Sequence, residues 1–247
     1  MIIFIIPYRK RKCHLFFFKR YMNYIMEDYK ENEYRFLYVH QDNSLPFNRG
    51  AMKNLGFLYI KEIYPDDYKS IILVFNDVDT VPYKKNLLNY DVTPNIIKHF
   101  YGHRFALGGI FSIRGEDFEK INGFPNYWGW GFEDNVVHQR ALEHKLIIDR
   151  SCFYPIQSHD ILHFYDETVK TIDQKNLRRQ MQKRKHENDG ISFLKNYHYT
   201  YDDNDQMLHV KSFKTKYDHN SFTPYHYNIT NGPKIKPPRS LMSLRFL

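Results

Sequence analysis

The stretch SIILVFNDVD, residues 70–79, joins an unbroken apolar run directly to two aspartates. Such a run is typical of a strand buried on both faces in the middle of a sheet. Ligands of open α/β sheets bind beyond the carboxyl ends of these strands. On an extended backbone alternate side chains point the same way, so we expect Asp77 and Asp79 to serve one site. Their oxygens would suit Mn²⁺ or Mg²⁺ with a diphosphate, although the pair alone fits a solvated turn or helix cap as well.

Outward from this run, strand and helix patterns alternate along the chain. This order predicts an α/β sheet with helices on both faces, and weaker alternation over 199–217 predicts a hairpin. We expect a domain over 1–217 and a basic, proline-containing tail over 218–247. The expected strands are 2–6, 34–39, 70–75, 107–113 and 146–148, and the expected helices are 16–29, 48–63 and 133–143.

The composition limits the class of protein and of partner. The chain has 247 residues, 42% of them hydrophobic and 26% charged, which indicates a folded globular protein and excludes a disordered one. Its net charge of +8 favours anionic partners, which include nucleic acids, membrane surfaces and phosphorylated small molecules. The basic run 178–185 is more typical of a solvated face, and no nucleic-acid-binding motif accompanies it. We therefore expect no nucleic-acid partner.

Cysteine usage and hydropathy bear on location. Cys13 and Cys152 lie outside any CxxC or Cys/His cluster, so we expect free thiols and a reducing compartment. The apolar run 2–6 is too short for a signal peptide or a membrane span. These features predict a cytoplasmic protein without a membrane span, and they leave the oligomeric state open.

Three further motifs carry chemistry. WGWGFED, residues 128–134, holds both tryptophans of the chain among glycines and ends in two acids at a predicted helix start. Indole faces stack on sugar rings, although a tight turn with core tryptophans is the alternative. Asp160 and His163 could share a metal ion, or their spacing could be incidental. PYRKR, residues 7–11, places arginines beyond the first strand, where they could clamp a phosphate or form a solvated basic turn.

Taken in order, these motifs resemble the β-1,4-galactosyltransferase family, which comprises inverting glycosyltransferases (family 7) of the GT-A fold. The resemblance extends over about residues 2–217. It rests on PYRKR with His14-Leu15, FNRG at 47–50 with Asn54 and Gly56-Phe57, the DVD run closed by Val81-Pro82, Gly108-Gly109, NGFP at 122–125, the tryptophan motif, His163 and Asp189-Gly190.

The resemblance implies a Rossmann-like mixed sheet and a role for each matched residue. Asp79 and His163 would bind Mn²⁺, with Asp160 at the third ligand position. Asp134 would be the catalytic base. Trp130, on a loop that closes over the donor, would face the acceptor together with Glu133, Asp134 and Asn135. The residues implied in donor binding are Pro7, Tyr8, Arg9, Arg11, Phe47, Arg49, Asp77, Val78, Ala106, Gly109 and Trp130.

The implied activity is transfer of galactose or GalNAc from its UDP-sugar to a sugar hydroxyl, giving a β-linked product. Two alternatives remain: a non-catalytic relative that binds UDP-sugars or glycans, and a transferase that uses UDP-glucose or UDP-GlcNAc. Intact Asp79, His163 and Asp134 favour an enzyme.

Three positions depart from the family pattern. Asp160 stands where the family usually has methionine, and a carboxylate there predicts tolerance of Mg²⁺. Ala106 replaces a common tyrosine beside the donor's C2 substituent, which leaves room for an N-acetyl group. Asn135 stands where another acid is frequent, and the segment 86–104 is short, so the acceptor is not named by the sequence.

Overall fold

The computed structural model describes residues 1–164, 169–173 and 189–228. Its helices are α1 (Lys12–Ile25), α2 (Arg49–Ile63), α3 (Gly115–Lys120) and α4 (Glu133–Glu143). Its strands are β1 (Ile2–Tyr8), β2 (Tyr34–Gln41), β3 (Ile72–Asn76), β4 (Thr80–Pro82), β5 (Ile96–Gly102), β6 (Ile110–Arg114), β7 (Ile147–Asp149), β8 (Tyr154–Pro155), β9 (Ile161–His163), β10 (Val169–Asp173), β11 (Lys195–Asp202), β12 (Met207–Lys214) and β13 (Pro224–Asn228).

The main sheet is mixed. Its strands follow the order β11-β12-β2-β1-β3-β6-β5-β7, with β8 beside β5. Strands β12, β2, β1 and β3 run parallel to one another, whereas β6 is antiparallel to β3 and to β5. The parallel strands therefore end at one edge, where Tyr8 is in register with His40 and Asn76 closes β3.

Helices cover both faces of this sheet, as predicted. Along β1, Ile3 and Ile5 belong to the core under α2, whereas Phe4 and Ile6 belong to the core under α1. Gly56 lets α2 approach closely, because a Cβ there would lie 2.8 Å from Cγ2 of Ile5. A central strand with two apolar faces has no polar alternation, which is why the sequence pattern identified β1 and β3.

Some helices and strands begin or end at other residues than predicted, because polar residues form part of them. Helix α1 begins at Lys12 and ends at Ile25, not 16–29, because its first turn contains polar residues. Strand β1 continues through Pro7 to Tyr8. Its pairing with β3 ends at Ile5, so the missing N–H of Pro7 removes no hydrogen bond between these two strands. Strand β5 and helix α3 were not predicted.

The C-terminal part contains more paired structure than predicted. The expected hairpin is formed by β11 and β12 and begins earlier, at Lys195. Within the expected tail, Pro224–Asn228 pairs antiparallel with Val169–Asp173. The basic run 178–185 and residues 229–247 lie outside the described residues. In the part of the chain that the structure describes, no helix combines the length and the apolar character needed to cross a bilayer.

Candidate active site

A cavity of about 510 Å³ opens at the carboxyl edge of the parallel strands. Most residues predicted to hold the donor line it, and so do several that were not predicted. The predicted donor residues are Pro7, Arg9, Arg11, Phe47, Arg49, Asp77, Val78 and Trp130. Asp79, predicted as a metal ligand, also lines the cavity, and the residues that were not predicted are Lys10, Ser44, Leu45, Pro46, Gly129, Val169, Lys170, Thr171 and Phe222.

The two aspartates follow β3 in a turn, not on extended backbone. The Thr80 amide donates to the Asp77 carbonyl (3.1 Å), and the Asn76 side chain donates to the same carbonyl (2.8 Å). Both Asp77 and Asp79 nevertheless line the cavity. The expectation that they serve one site is therefore compatible with the structure, although the turn, and not strand alternation, is what places them.

Arg49 connects the aspartate turn to the start of α4. Its Nη1 lies 3.3 Å from Oδ2 of Asp77, its Nη2 lies 2.7 Å from Oδ2 of Asp134, and its Nε lies 2.9 Å from Oε1 of Glu133. Lys53, one helical turn further along α2, is only 1% exposed and reaches Oδ1 of both Asp77 (3.7 Å) and Asp134 (3.4 Å). Two cations on one face of α2 thus hold three carboxylates.

These charges change the acidity of the cluster. Burial opposes ionisation of Asp77, but Arg49 and Lys53 outweigh it and hold the pKa of Asp77 below its ordinary value. Burial likewise opposes the charge of Arg49, yet its carboxylate partners raise its pKa well above the usual range. Burial raises the pKa of Glu133 above its usual value in spite of Arg49. The site therefore contains a fixed cation and a carboxylate that is reluctant to ionise.

Asp134 is positioned by its backbone and by a glycine. It lies in the first turn of α4, and its carbonyl accepts from the Leu107 amide (2.9 Å). Its carboxylate occupies the space beside Gly108, where a Cβ would lie 2.6 Å from Oδ2. Gly108 therefore provides room for this carboxylate.

The remaining residues predicted around the sugars lie outside the lining of the cavity. Glu133 is buried and accepts from the Gly131 amide (2.9 Å), so it braces the tryptophan loop and does not face an open acceptor site. The Asn135 side chain donates to the Phe105 carbonyl (3.4 Å). Ala106 is buried, and the Gly109 carbonyl accepts from the Asp77 amide (3.1 Å).

The residues after β1 divide into three roles. The Arg9 guanidinium donates to the carbonyls of Leu45 and Asn43, so it holds the loop after β2. Arg11 forms an ion pair with Asp79 (Nη1 to Oδ2, 2.6 Å). Tyr8 is buried and its ring packs on His40, so it supports the wall of the cavity without lining it.

Two of the three predicted metal ligands are neighbours. His163 lies opposite Thr80 in the β4–β9 ladder, beside Asp79, and the Tyr101 hydroxyl contacts its Nδ1 (2.8 Å). Burial lowers the pKa of His163 in spite of the nearby Asp79, which favours the neutral imidazole that metals bind. The structure does not bring Asp160 to this pair. It is exposed, lies in the turn before β9 and accepts a hydrogen bond from the Ser158 hydroxyl (3.3 Å).

The two tryptophans have different roles. Trp128 is 5% exposed, stacks on Phe213 and donates from Nε1 to the Tyr217 carbonyl (2.9 Å), so it is a core residue. Trp130 is 40% exposed and lines the cavity, and its amide donates to the Thr171 carbonyl (2.8 Å). Only the second fits the predicted binding role.

Sequence reasoning missed Lys53 and the contributions of β10 and of the segment before β13. The spacing of Arg49 and Lys53, four residues apart on a predicted helix, was the available signal for the first. Thr171 and Phe222 reach the cavity through the β10–β13 pair, and no local motif marks them.

Comparisons with known proteins identify the family of the chain. Residues 1–91 match the family model described as the N-terminal region of glycosyl transferase group 7, and residues 97–167 match the model described as the N-terminal domain of galactosyltransferase. β-1,4-Galactosyltransferase 4 of Mus musculus is 33% identical over 161 residues, covering 60% of this chain and 44% of the relative. β-1,4-Galactosyltransferase 2 of Homo sapiens is 34% identical over 148 residues, covering 55% and 38%. The chain thus spans less than half the length of these curated relatives.

Solved structures show the same fold. The catalytic domain of Drosophila β1,4-galactosyltransferase 7 in complex with xylobiose is 24% identical, with a TM-score of 0.65 over 90% of this chain and 96% of that one. A mutant of that enzyme in complex with manganese, UDP-Gal and xylobiose is 22% identical, with a TM-score of 0.66 over the same shares. With the two family models and the curated relatives, this places the chain in the β-1,4-galactosyltransferase family, with a GT-A fold.

Proposed function

We propose that this protein transfers galactose, or GalNAc, from a UDP-sugar to a hydroxyl of a sugar acceptor with inversion at the anomeric carbon. The observation that carries the proposal is the Arg49 contact with both Asp77 and Asp134. It places the candidate base, at the start of α4, next to a cavity lined by Arg9, Arg11 and two aspartates. A phosphate-binding wall and a carboxylate base are the two parts that a single displacement needs.

In this proposal the chain binds the donor through its cationic wall. Arg11 pairs with Asp79 and Arg9 holds the loop after β2, so both guanidiniums are oriented before a nucleotide enters. Trp130 covers one side of the cavity, where an indole can stack on a sugar and exclude water.

Asp134 would take the proton from the acceptor hydroxyl. The carboxylate lies in the first turn of α4, and it would accept the proton as positive charge builds on the attacking oxygen. Arg49 and Lys53, both on α2, orient the Asp134 carboxylate through ion pairs.

The donor set beside the cavity fits a divalent metal ion. Asp79 and His163 would hold Mn²⁺, since a carboxylate and an imidazole together suit that ion, and a solved structure of a relative contains manganese with UDP-Gal. A cation bound there would offset charge on the departing diphosphate. Tolerance of Mg²⁺ was predicted from a carboxylate, Asp160, as the third ligand; because Asp160 lies apart from this pair, the comparison of Mg²⁺ with Mn²⁺ tests that prediction.

The donor sugar is proposed from position 106. Ala106 is buried beside Leu107, whose amide bonds to Asp134, and its small side chain favours room for an N-acetyl group. We expect Ala106→Tyr to reduce turnover of UDP-GalNAc more than that of UDP-galactose. Unchanged use of UDP-GalNAc by this variant would contradict the steric account.

The test of the proposal is UDP release from UDP-galactose, UDP-GalNAc, UDP-glucose and UDP-GlcNAc, each with Mn²⁺, Mg²⁺ or EDTA, with and without sugar acceptors. The set should include a β-xyloside, because a relative binds xylobiose. We expect metal-dependent release from UDP-galactose or UDP-GalNAc that one acceptor increases. His163→Asn should abolish it and Asp160→Asn should not. UDP binding without release from any donor would favour a non-catalytic relative.

Two predictions from the sequence accompany this proposal. The domain is proposed to occupy 1–217, with 218–247 as a C-terminal segment of which Pro224–Asn228 pairs with β10. A cytoplasmic location is proposed from the free cysteines and is tested by imaging the tagged protein in its host cell.

A further inference from the structure

Three metal-ligand side chains meet where strand β2 ends beside the first residues of β12. Nδ1 of His40 lies 3.2 Å from Nδ1 of His209, and Oδ2 of Asp42 lies 3.9 Å from the same His209 nitrogen. Within residues 1–164, 169–173 and 189–228, this is the one group of three or more His, Cys, Asp or Glu residues whose ligand atoms all lie within 4.8 Å. We propose that His40, Asp42 and His209 form a Zn²⁺ site, separate from the proposed active-site metal.

The backbone holds these side chains in place. His40 and His209 are direct partners in the parallel β2–β12 ladder, so their side chains leave the sheet on the same face. The Asp42 amide donates to the Val210 carbonyl (2.9 Å), which extends the ladder to the third ligand. The Tyr8 ring packs on His40 and limits its rotation. Ligands on rigid strands form a more exact site than ligands on loops.

The spacing fits tetrahedral zinc. Two nitrogens bound at about 2.0–2.1 Å on a tetrahedral ion lie roughly 3.3 Å apart, close to the observed 3.2 Å between the two imidazoles. A carboxylate oxygen of Asp42 lies within 4.8 Å of a ring nitrogen of each histidine. Two imidazoles with one carboxylate, and water in the fourth position, form a known type of zinc environment. Imidazole ligands also favour Zn²⁺ over Mg²⁺.

A hydrogen bond between the two imidazoles is the rival explanation of their contact. Asp42 would then serve only as the partner of Lys211, with which it forms an ion pair. That pair lies at the surface, where Lys211 is 48% exposed, and exposed ion pairs contribute little to stability. The ammonium group would compete with the metal for Asp42 but could be displaced. The two explanations therefore predict opposite effects of removing Lys211.

The site would stabilise one wall of the cavity. Asp42 begins the loop from β2 to α2, and Arg9 binds the carbonyls of Asn43 and Leu45 in that loop. A zinc ion would tie the start of the loop to β12. This inference does not depend on the proposed transferase activity, because its ligands and its test are different.

The experiment measures binding of Zn²⁺ alone to EDTA-treated full-length protein, by equilibrium dialysis and by the visible spectrum of the Co²⁺-substituted form. His209→Asn should weaken Zn²⁺ binding at least about 10-fold, since loss of even an outer-shell partner costs that much. Lys211→Met should strengthen binding, because it removes the competitor for Asp42. His198→Asn, at an exposed histidine on β11, should leave Zn²⁺ binding unchanged, and His163→Asn at the proposed active site should leave unchanged the Zn²⁺ binding that depends on His209.

Two results would overturn the proposal. One is equal Zn²⁺ affinity in the wild type and His209→Asn, with loss only in His163→Asn. The other is a Lys211→Met variant that binds Zn²⁺ no more tightly than the wild type. The second result is informative even where His209→Asn fails to fold, because removing a half-exposed lysine leaves the sheet intact. A tetrahedral Co²⁺ spectrum that persists in His163→Asn but vanishes in His209→Asn would support the site.

Discussion

Nη2 of Arg49 lies 2.7 Å from Oδ2 of Asp134, while Nη1 of the same guanidinium lies 3.3 Å from Asp77. One side chain therefore links the turn after β3 to the first turn of α4. These segments are far apart in the sequence, and α2 brings them together through a single arginine at its first position. The proposed base and the donor cavity are thus parts of one charged network.

Lys53 should stabilise this network. Its ammonium lies between Asp77 and Asp134 and 4.4 Å from the centre of the Phe124 ring. Removing one partner of a fully buried pair costs about 3–5 kcal/mol, and we expect about 2 kcal/mol for Lys53→Met because the aspartates are partly exposed. Lys61→Met is the matched control, since its pair with Glu119 is exposed and should cost less than about 1 kcal/mol. Urea unfolding of both variants measures the difference, and equal costs would contradict this account.

Gly108→Ala should displace the proposed base. The new Cβ would lie 2.6 Å from Oδ2 of Asp134, so the carboxylate has to move. Because a small misplacement of a reacting group can cost about 100-fold, we expect kcat to fall by roughly that factor while UDP affinity changes little. Steady-state kinetics and UDP titration measure the two effects. A fall in UDP affinity with unchanged kcat would show that this position supports the donor site and not the base.

Substitution of Trp128 should lower stability, whereas substitution of Trp130 should raise the donor KM. Trp128→Ala should cost about 3–5 kcal/mol of unfolding free energy, because it removes a core ring that stacks on Phe213. Trp130→Ala should change stability by no more than about 0.5 kcal/mol, because its ring is partly exposed, and should raise KM for the donor. Thermal melts and donor kinetics on both variants test the assignment. A stable Trp128→Ala protein with a raised donor KM would reverse the two roles.

His99 should make the fold sensitive to acid. Its Nε2–H donates to the carbonyls of Tyr101 and Gly108 (3.1 Å each), and its Nδ1 accepts from Nε of Arg150 (3.1 Å). Burial, reinforced by Arg150, lowers the pKa of His99 from 6.5 to about 4. As the pH falls, His99 is protonated in the unfolded chain before it is protonated in the folded protein. The contribution of neutral His99 to the free energy of unfolding is therefore complete above about pH 6.5 and is lost as the pH falls towards 4.

The expected loss is about 3 kcal/mol over that interval, from a shift of this size. Urea unfolding between pH 4 and 7.5 measures it. His99→Gln, which does not titrate, should be less stable at neutral pH and should lose this part of the pH dependence. His198→Asn, on the exposed face of β11, should keep it. An unchanged pH profile in His99→Gln would contradict the assignment.

The elements predicted correctly are those that leave an apolar pattern or a linear motif in the sequence. Strands β1 and β3 are continuous apolar runs because both faces are buried, and the predicted helix 133–143 coincides with α4. The sequence did not predict β5, because Lys98 and His99 interrupt its apolar pattern. His99 is buried there only because three hydrogen bonds satisfy its ring, which is a tertiary property.

The sequence predicted only part of the candidate site, because some of its contacts are likewise tertiary. The donor wall follows from motifs at strand ends, and its residues meet in the cavity. Asp160 was expected beside His163 from their spacing and from the family resemblance, but it lies in the turn before β9, where its carboxylate accepts from Ser158. The contacts of Lys53 with two aspartates depend on how α2 packs over the sheet, which no local pattern specifies.

The most direct test of the central claim is the product formed from UDP-galactose and the best acceptor, followed by NMR with the wild type and Asp134→Asn. The account predicts a β-linked product, formed at least about 100-fold more slowly by the variant while UDP binding is retained. An α-linked product, or an unchanged rate in Asp134→Asn, would contradict inversion with Asp134 as the base.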